Sequence, residues 1–577
     1  MLFVIVNWIY LAATSFLLGT AFAGFVKRVF AWEMKSVAEI VFYGLIWATV
    51  YAQVFSLFGG VGALANGILL AVCIVIAFVW RNRIKNRIVQ SVKRSGRAHR
   101  IAALVLVLIW AYCTSRGYMH YDSDLYHAQS IRWIEEYGVV PGLGNIHVRF
   151  AYNSSFFALS ALYSMKFLGG QSLHAVNGFF ALLLSLEVMK AFRIRRFRTA
   201  GGERKRLQKD FGTDASERLF CLSDFARLGA FYYLTVLYRD IVAPASDYAV
   251  MCVVFFIMIR WLVHLEQKEH SIAPYALLCV AGVYAVTLKL TAGCILLLVL
   301  KPAIDLIKEK KGKEIVVYLA MGVLVLLPWL IRTALISGYL LYPFPALDVL
   351  PVDWKIPVEA AVRDAAEIKT WGRGLNNAAL VNMPVTEWFP HWFLTMLPTL
   401  GKIFILADFV CVAVFFIILA WTLIRHGKNK DKAGEWDELL ALACMILSFL
   451  FWQLSAPLLR YGYAYVLLVI TLTAGIVYQR MKVPAVVQRL CGVLILAFVA
   501  VKALTLAKYA WSVSGDPYYV AQQKYGTYEL DSFEVNDVRF YYPVSGDRVG
   551  YEAFPAIPLK KEIRFRGDGL EDGFRGI

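Results

Sequence analysis

Charge is scarce in this chain. Of its 577 residues only 17% are Asp, Glu, Lys or Arg, while 59% are hydrophobic. An ordinary globular domain is nearer a quarter charged. A string of soluble domains, which the length alone would allow, is therefore excluded. Acidic residues are the scarcer sign, 41 against 59 basic, for a net charge of +18. No soluble stretch interleaves basic with aromatic residues, so a nucleic-acid surface is not indicated. The nine cysteines have no C-x-x-C spacing and fall in apolar runs. That excludes a zinc site or disulfide framework and leaves them as small buried hydrophobes. No basic residue precedes the first apolar run. Ala21-Phe22-Ala23 is shaped like a cleavage site but lacks a signal peptide's charged n-region. Leu2 to Val26 reads as an uncleaved helix with its N-terminus outside, because Lys27 and Arg28 follow it. There is no internal repeat and no low-complexity tract.

What is present is a succession of apolar runs of about 20 residues, the length that crosses ~30 Å of hydrocarbon. Basic residues collect in short loops between them, as in Arg81 to Arg100 and Arg193 to Lys209. Cytoplasmic loops carry that bias, and anionic headgroups are its natural partner. The second and third spans fall at about Val37–Leu57 and Val61–Trp80. With loop 81–100 inside, the fourth span, about Ile101–Ser115, exits outward. Tyr152–Leu168 is then expected to lie in the outer interface, with Leu173–Phe192 as the fifth span. Further spans are expected at about Leu219–Leu237 and Tyr248–Leu265. Pro274–Leu300 is expected to be two half-helices meeting at Lys289 on the outer side, since a lone charge in lipid is costly. Ile315–Ile336 exits to a long loop, Gly338 to about Pro398. The tryptophans of that loop, Trp388 and Trp392, suit either interfacial anchoring or a functional loop. Four more spans close the helical part: about Phe404–Ile424, Leu439–Leu454, Tyr463–Val477 and Cys491–Leu506. From Trp511 onward, alternating polar and apolar residues with Pro and Gly turns predict a small β-rich cap outside.

The segment Tyr118–Phe150, YMHYDSDLYHAQSIRWIEEYGVVPGLGNIHVRF, is polar where the chain is otherwise greasy. It puts Asp122 and Asp124 at the mouth of a span, followed by an amphipathic run. The sign rule gathers further ionisable groups at the same mouth: Asp240, Asp247, Lys289, Arg332, Asp353, Lys355 and Arg460. Such clustering at membrane depth marks function. The chemistry it suits is attack by an acceptor hydroxyl on a lipid-linked sugar phosphate. A carboxylate takes the hydroxyl proton, and cations hold the phosphate as charge builds on it. Asp122 is the first choice for the base. Asp124 is the second choice, or a metal ligand, or an N-cap. Lys289 and Arg460 are the phosphate contacts. Tyr126, His127, Arg132, Arg332 and Tyr461 are further candidates for substrate contact. Asp122 with Asp247 is the pair that could hold a divalent cation such as Mg or Mn. His120, His127 and His147 lack metal-ligand spacing and read as ordinary polar or aromatic side chains. Asn153-Ser-Ser is a formal glycosylation sequon.

These residues resemble the GT-C superfamily of polytopic glycosyltransferases. There, an acid follows an early span with a Tyr a few residues on, as in Asp122-Ser-Asp-Leu-Tyr126. Asp124 is not at the usual second-acid position. An interface helix ending in Gly, a helix pair with Lys at its outer junction (Lys289) and a late Arg-Tyr opening a span (Arg460-Tyr461) also fit. The likeness covers about Ile101 to Tyr478. More narrowly, YDSDLYHAQSIRWIEEYGVVPGLGN, RFAYNSS and SAPLLRYGYAY resemble a bacterial family of large, uncharacterised multipass proteins, over most of the chain. The expected fold is all-α with about fourteen spans or half-spans. It divides into extra helices and a basic loop (1–100), a GT-C-like module (101–508, outer loops 116–171 and 337–400) and an extracytoplasmic tail (509–577). The resemblance implies a bacterial cytoplasmic-membrane enzyme with its site facing outside. It would transfer a sugar, with inversion, from a polyprenyl-phosphate donor to an envelope glycan, lipid or protein. The rivals are a polymerase or ligase using polyprenyl-diphosphate glycans, which favours arginines over a carboxylate base, and a flippase, which calls for inverted repeats.

Overall fold

The structure is a computed structural model that describes residues 1–190, 219–426, 433–481, 483–512 and 518–576. The basic stretch 193–209 lies outside the described residues. The first two helices, α1 (Leu2–Phe30) and α2 (Val37–Phe55), pack closely because each presents a glycine to the other. A Cβ on Gly19 would sit 1.7 Å from the Ile40 carbonyl oxygen, and one on Gly44 1.7 Å from that of Ser15. Small residues permit this backbone approach within membranes. α3 (Ala63–Val79) crosses back and the chain then bends by 82° into α4 (Arg81–Arg94). The stretch expected as a basic loop is thus mostly helix, broken only at Ser95-Gly96. α5 (Arg97–Ser115) returns toward the polar segment, which contributes α6 (Ala128–Glu136).

Among the described residues ten helices are long and apolar enough to cross a membrane, and the chain is a multi-pass, all-α membrane protein. Two sequence expectations change here. The run expected in the outer interface forms α7 (Ser155–Leu162), whose eight residues are all buried. Its serines face protein: Ser154 donates to the Leu288 carbonyl at 2.7 Å and Ser155 meets Thr287 at 2.9 Å. The next run yields only α8 (Val176–Val188). Thirteen residues at ~1.5 Å each cover about 20 Å, short of the hydrocarbon thickness.

α9 (Leu222–Leu237) leads to α10 (Ser246–Glu266), the buried centre of the bundle. α11 (Ala273–Leu288) stops at Lys289, whose backbone is extended (φ −159°, ψ 130°). The chain resumes as a 3-10 helix, Leu290–Val299, continuous with α12 (Leu300–Lys308). The break falls where the lone cation demanded it. α13 (Gly312–Ser337) is followed by the long loop, which folds into α14 (Val358–Gly372) and α15 (Val385–Thr395). Trp388 and Trp392 are both buried, and Trp392 donates to the Pro457 carbonyl at 2.8 Å. They anchor the loop to protein, not to a lipid interface. α16 (Thr399–His426), α17 (Ala433–Leu454), α18 (Tyr463–Arg480) and α19 (Ala485–Ser512) complete the bundle. One apolar core runs from Val4 to Ile476 through helices on both sides of residue 100.

A second core lies at one end of the bundle and is shared by three distant segments. Trp133, Phe150 and Ile146 from the polar segment meet Tyr339 and Ile356 from the long loop and Phe540, Ile557 and Phe574 from the tail. The tail supplies the hairpin β1 (Leu530–Val535) and β2 (Val538–Pro543), paired from Leu530↔Pro543 to Val535↔Val538. Its two-residue turn, Asn536-Asp537, has positive φ at both positions, the conformation that matches strand twist in a tight hairpin. The tail is therefore a wall of the cap over the polar segment.

Candidate functional site

Four segments far apart in sequence meet under this cap. Asp122 leads a short π-helical turn, Ser123–His127, an element that recurs at functional sites. Asp247 lies in the first turn of α10, Lys289 at the break after α11, and Arg460-Tyr461 in the turn between α17 and α18. That last turn needs Gly462, where a Cβ would fall 2.5 Å from the Trp452 ring.

Arg460 is the hub. Its Nη2 donates to Asp122 Oδ2 at 2.6 Å and to the Tyr461 hydroxyl at 2.8 Å. Its Nε lies 3.5 Å from Asp247 Oδ2. Lys289 pairs with the other oxygen of Asp247 and sits over the Tyr461 ring, 3.3 Å from its centroid. Nη1 of Arg460 reaches His120 Nδ1 at 2.9 Å. A guanidinium only donates, so that nitrogen accepts, and it also takes the Asp122 N–H at 3.1 Å. Burial, then Arg460, lowers the His120 pKa and favours this neutral form. Burial alone would raise the Asp122 carboxyl; the Arg460 guanidinium outweighs it and holds the group below its ordinary range. Asp122, Lys289 and Arg460 keep about a fifth of their side chains exposed, so the cluster is reachable. Nearby Asp240 is pushed up to about 6 by burial. Two carboxylates balanced by two cations form a site that can exchange its own acids for an incoming anion.

The remaining sequence candidates go elsewhere. His127 is buried under the turn against Tyr126 and Phe157, ring centroids 4.4 and 5.2 Å away, and burial drops its pKa to about 3. Tyr126 lies within electrostatic range of Asp122, Tyr461 and Arg149. Asp124, two residues from Asp122, faces the tail. Its carboxylate accepts from the Gly526 N–H and the Tyr528 hydroxyl, each at 2.9 Å, and its carbonyl accepts from Val549 and Gly550. It neither joins the cluster nor caps a helix with its side chain. Arg132 also holds the tail, donating to the Tyr551 and Glu552 carbonyls at 2.7 Å and stacking on Phe554. Arg332 is buried inside the bundle, bonded to Asn153 Oδ1 at 3.1 Å and to Ser56. Asn153 is itself buried, and its amide donates to Trp329 and Thr333, so the sequon is inaccessible in this fold. Asp353 and Lys355 sit at the cap edge, paired with Arg566 and Asp348.

Sequence reasoning assigned no site role to His120. Its only signal is its place two residues before Asp122. The tail residues that grip Asp124 had no signal at all. The pair proposed for a divalent cation, Asp122 and Asp247, is spanned by Arg460. A Mg or Mn ion between them would abut a guanidinium, so this arrangement does not fit a metal. Among the described residues no group of three or more His, Cys, Asp or Glu is placed to hold an ion. No curated protein and no solved structure matches the chain. One family model does, over residues 1–467, a span that takes in all six residues of the cluster and ends before the tail. The chain belongs to that family, described as a domain of unknown function (DUF8201).

Proposed function

We propose that this protein is a membrane glycosyltransferase that moves a sugar from a polyprenyl-phosphate donor to a cell-envelope glycan, lipid or protein. The observation that carries the reading is the meeting of Asp122, Asp247, Lys289 and Arg460 at one end of the bundle, beneath a cap built from both outer loops and the tail. The donor's phosphate takes Arg460 and Lys289, a guanidinium and an ammonium suited to its oxygens. Asp122 is thereby released from its ion pair and faces the acceptor. The acceptor oxygen bonds to the anomeric carbon as the carbon–oxygen bond to phosphate breaks. The hydroxyl proton passes to Asp122, and the bonding electrons leave on a phosphate oxygen held by the two cations. A single displacement inverts the sugar. The basic ends of the helices lie at the opposite end of the bundle, which supports a site facing outside the bacterial cytoplasmic membrane.

The test is transfer from a radiolabelled polyprenyl-phosphate sugar by the purified chain in nanodiscs. Asp122→Asn is expected to cut the rate by about 10²–10⁴, the usual worth of a positioned base. The ion pair between Asp122 and Arg460 favours one rival, a polymerase or ligase acting on polyprenyl-diphosphate glycans through arginine. Full activity of Asp122→Asn with loss in Arg460→Ala would select it and reject the base.

A further inference from the structure

The end of the molecule away from the cluster carries a second charged feature. Residues 81–100 hold eight Lys or Arg and no acid. Their helix, α4, leaves the axis of α3 at 82°, and none of its described side chains is buried. It docks through its start onto α1: the Trp80 ring occupies the space a Cβ on Gly24 would need, with Arg83 Nη1 beside it. Arg83 also stacks over Trp80 at 4.8 Å. One turn on, Arg87 Nη1 donates to the Met34 carbonyl at 3.2 Å. Arg83 and Arg87, four apart, therefore share the helix face turned to the end of α1, where Lys27 and Arg28 sit. The one acid in residues 27–38, Glu33, is held by Lys27 at 3.3 Å. Apolar side chains flank these cations and are left open: Phe25 (41%), Phe78 (74%), Val79 (65%) and Ile88 (50%).

We propose that this corner is a binding site for an anionic phospholipid. Its phosphate would lie between Arg28, Arg83 and Arg87, and its acyl chains against Phe25, Phe78 and Val79. A free phosphate would satisfy the cations but leave the apolar flank uncovered, whereas a lipid covers both. A helix lying across the membrane plane, basic on one side with apolar residues beside it, is built for that boundary. Juxtamembrane cations add attraction to anionic headgroups. The site is separate from the catalytic cluster and does not depend on the glycosyltransferase reading.

The experiment is native mass spectrometry of the delipidated full chain titrated with phosphatidylglycerol, cardiolipin or phosphatidylcholine, with inorganic phosphate as competitor. Phosphatidylglycerol or cardiolipin adducts should persist where phosphatidylcholine adducts do not. Arg83→Gln with Arg87→Gln should weaken them about 30-fold, at ~1 kcal/mol for each cation removed. Lys85→Gln with Lys93→Gln removes the same charge from other faces of α4 and should weaken them several-fold less. Both double variants alter exposed or half-exposed groups, and equal melting temperatures would show that folding is intact. Equal binding of phosphatidylcholine, equal loss in the two double variants, or displacement of lipid by millimolar phosphate would each overturn the site.

Discussion

Arg460 donates to Asp122 at 2.6 Å across 338 positions of sequence. In the proposed reaction the contact makes Asp122 a poor base while the pair is intact and a free carboxylate once the donor phosphate claims the guanidinium. Asp122 lies below its ordinary range, normally about 3.9. Its pairing therefore stabilises the fold above that value, and the contribution is lost as pH falls through the depressed one. The rate of sugar transfer should show no Asp122 limb between pH 5 and 8. A limb near pH 6 should instead come from Asp240, raised to about 6 by burial. Because the folded state binds that proton more tightly, stability falls as pH rises from ~4 to ~6 and is level above. Asp240→Asn should flatten both profiles, read as rate and melting temperature against pH.

Arg460 and Lys289 are not interchangeable in this reading. Arg460 spreads donors from two separate nitrogens over Asp122, Tyr461 and His120, a planar fork that the single nitrogen of an ammonium lacks. Arg460→Lys should weaken donor binding by about 10- to 100-fold despite keeping the charge. Lys289→Met should weaken it less and also leave Asp247 without its lysine. Equilibrium binding of a fluorescent polyprenyl phosphate separates the two.

Asp124 should behave as a tail anchor. Asp124→Asn keeps an oxygen for the Gly526 N–H and turns an amide N–H to the Tyr528 hydroxyl, but it exchanges two charge-assisted bonds for neutral ones, at about 1–2 kcal/mol. The expected signature is faster proteolysis of residues 518–576 with the bundle unchanged. Tyr528→Phe should give a smaller increase. An intact tail in both variants, with transfer abolished by Asp124→Asn, would return Asp124 to the chemistry.

At the other end of the bundle Arg260 Nε meets Glu39 Oε1 at 2.7 Å, both nearly buried. Breaking such a pair leaves a charge without its partner, at about 3–5 kcal/mol. Glu39→Gln should therefore lower the melting temperature in detergent far more than Lys27→Gln, whose ion pair with Glu33 is half exposed.

Orientation has a direct check. A cysteine at Ser545, on the tail, should react with a membrane-impermeant maleimide added to intact cells. One at Lys310, in the basic turn before α13, should react only after the membrane is opened. The reverse pattern would place the cluster on the cytoplasmic side.

Some of this was legible residue by residue. Lys289 in the middle of an apolar run could not be left in lipid, and the chain breaks there. Arg460-Tyr461 and Asp122 stood out because polar groups in this chain are few. Arg132 and Arg332 carried the same signal and went elsewhere, one to the tail and one into the bundle. A cation near a helix end announces that it needs a partner, not which partner. Trp388 and Trp392 show the same limit: an aromatic at the expected membrane edge suits lipid headgroups or a protein core equally, and the Arg373 guanidinium over Trp388 with the Trp452 ring and Pro457 carbonyl against Trp392 decided.

The sequence by itself determined that the chain crosses a membrane, roughly where, and that Asp122, Lys289 and Arg460 fall at span ends, because hydrocarbon penalises charge and unpaired backbone so heavily that the pattern has few solutions. Only the tertiary structure separated Asp122, which joins the Arg460 cluster, from Asp124, which holds the tail. They are the same residue type, two positions apart in one polar segment. The difference is what packs beside them: the Arg460 turn reaches one, and Gly526 and Tyr528, some four hundred positions on, reach the other. Such contacts are set by how distant segments share a core, and no local pattern of residues encodes that.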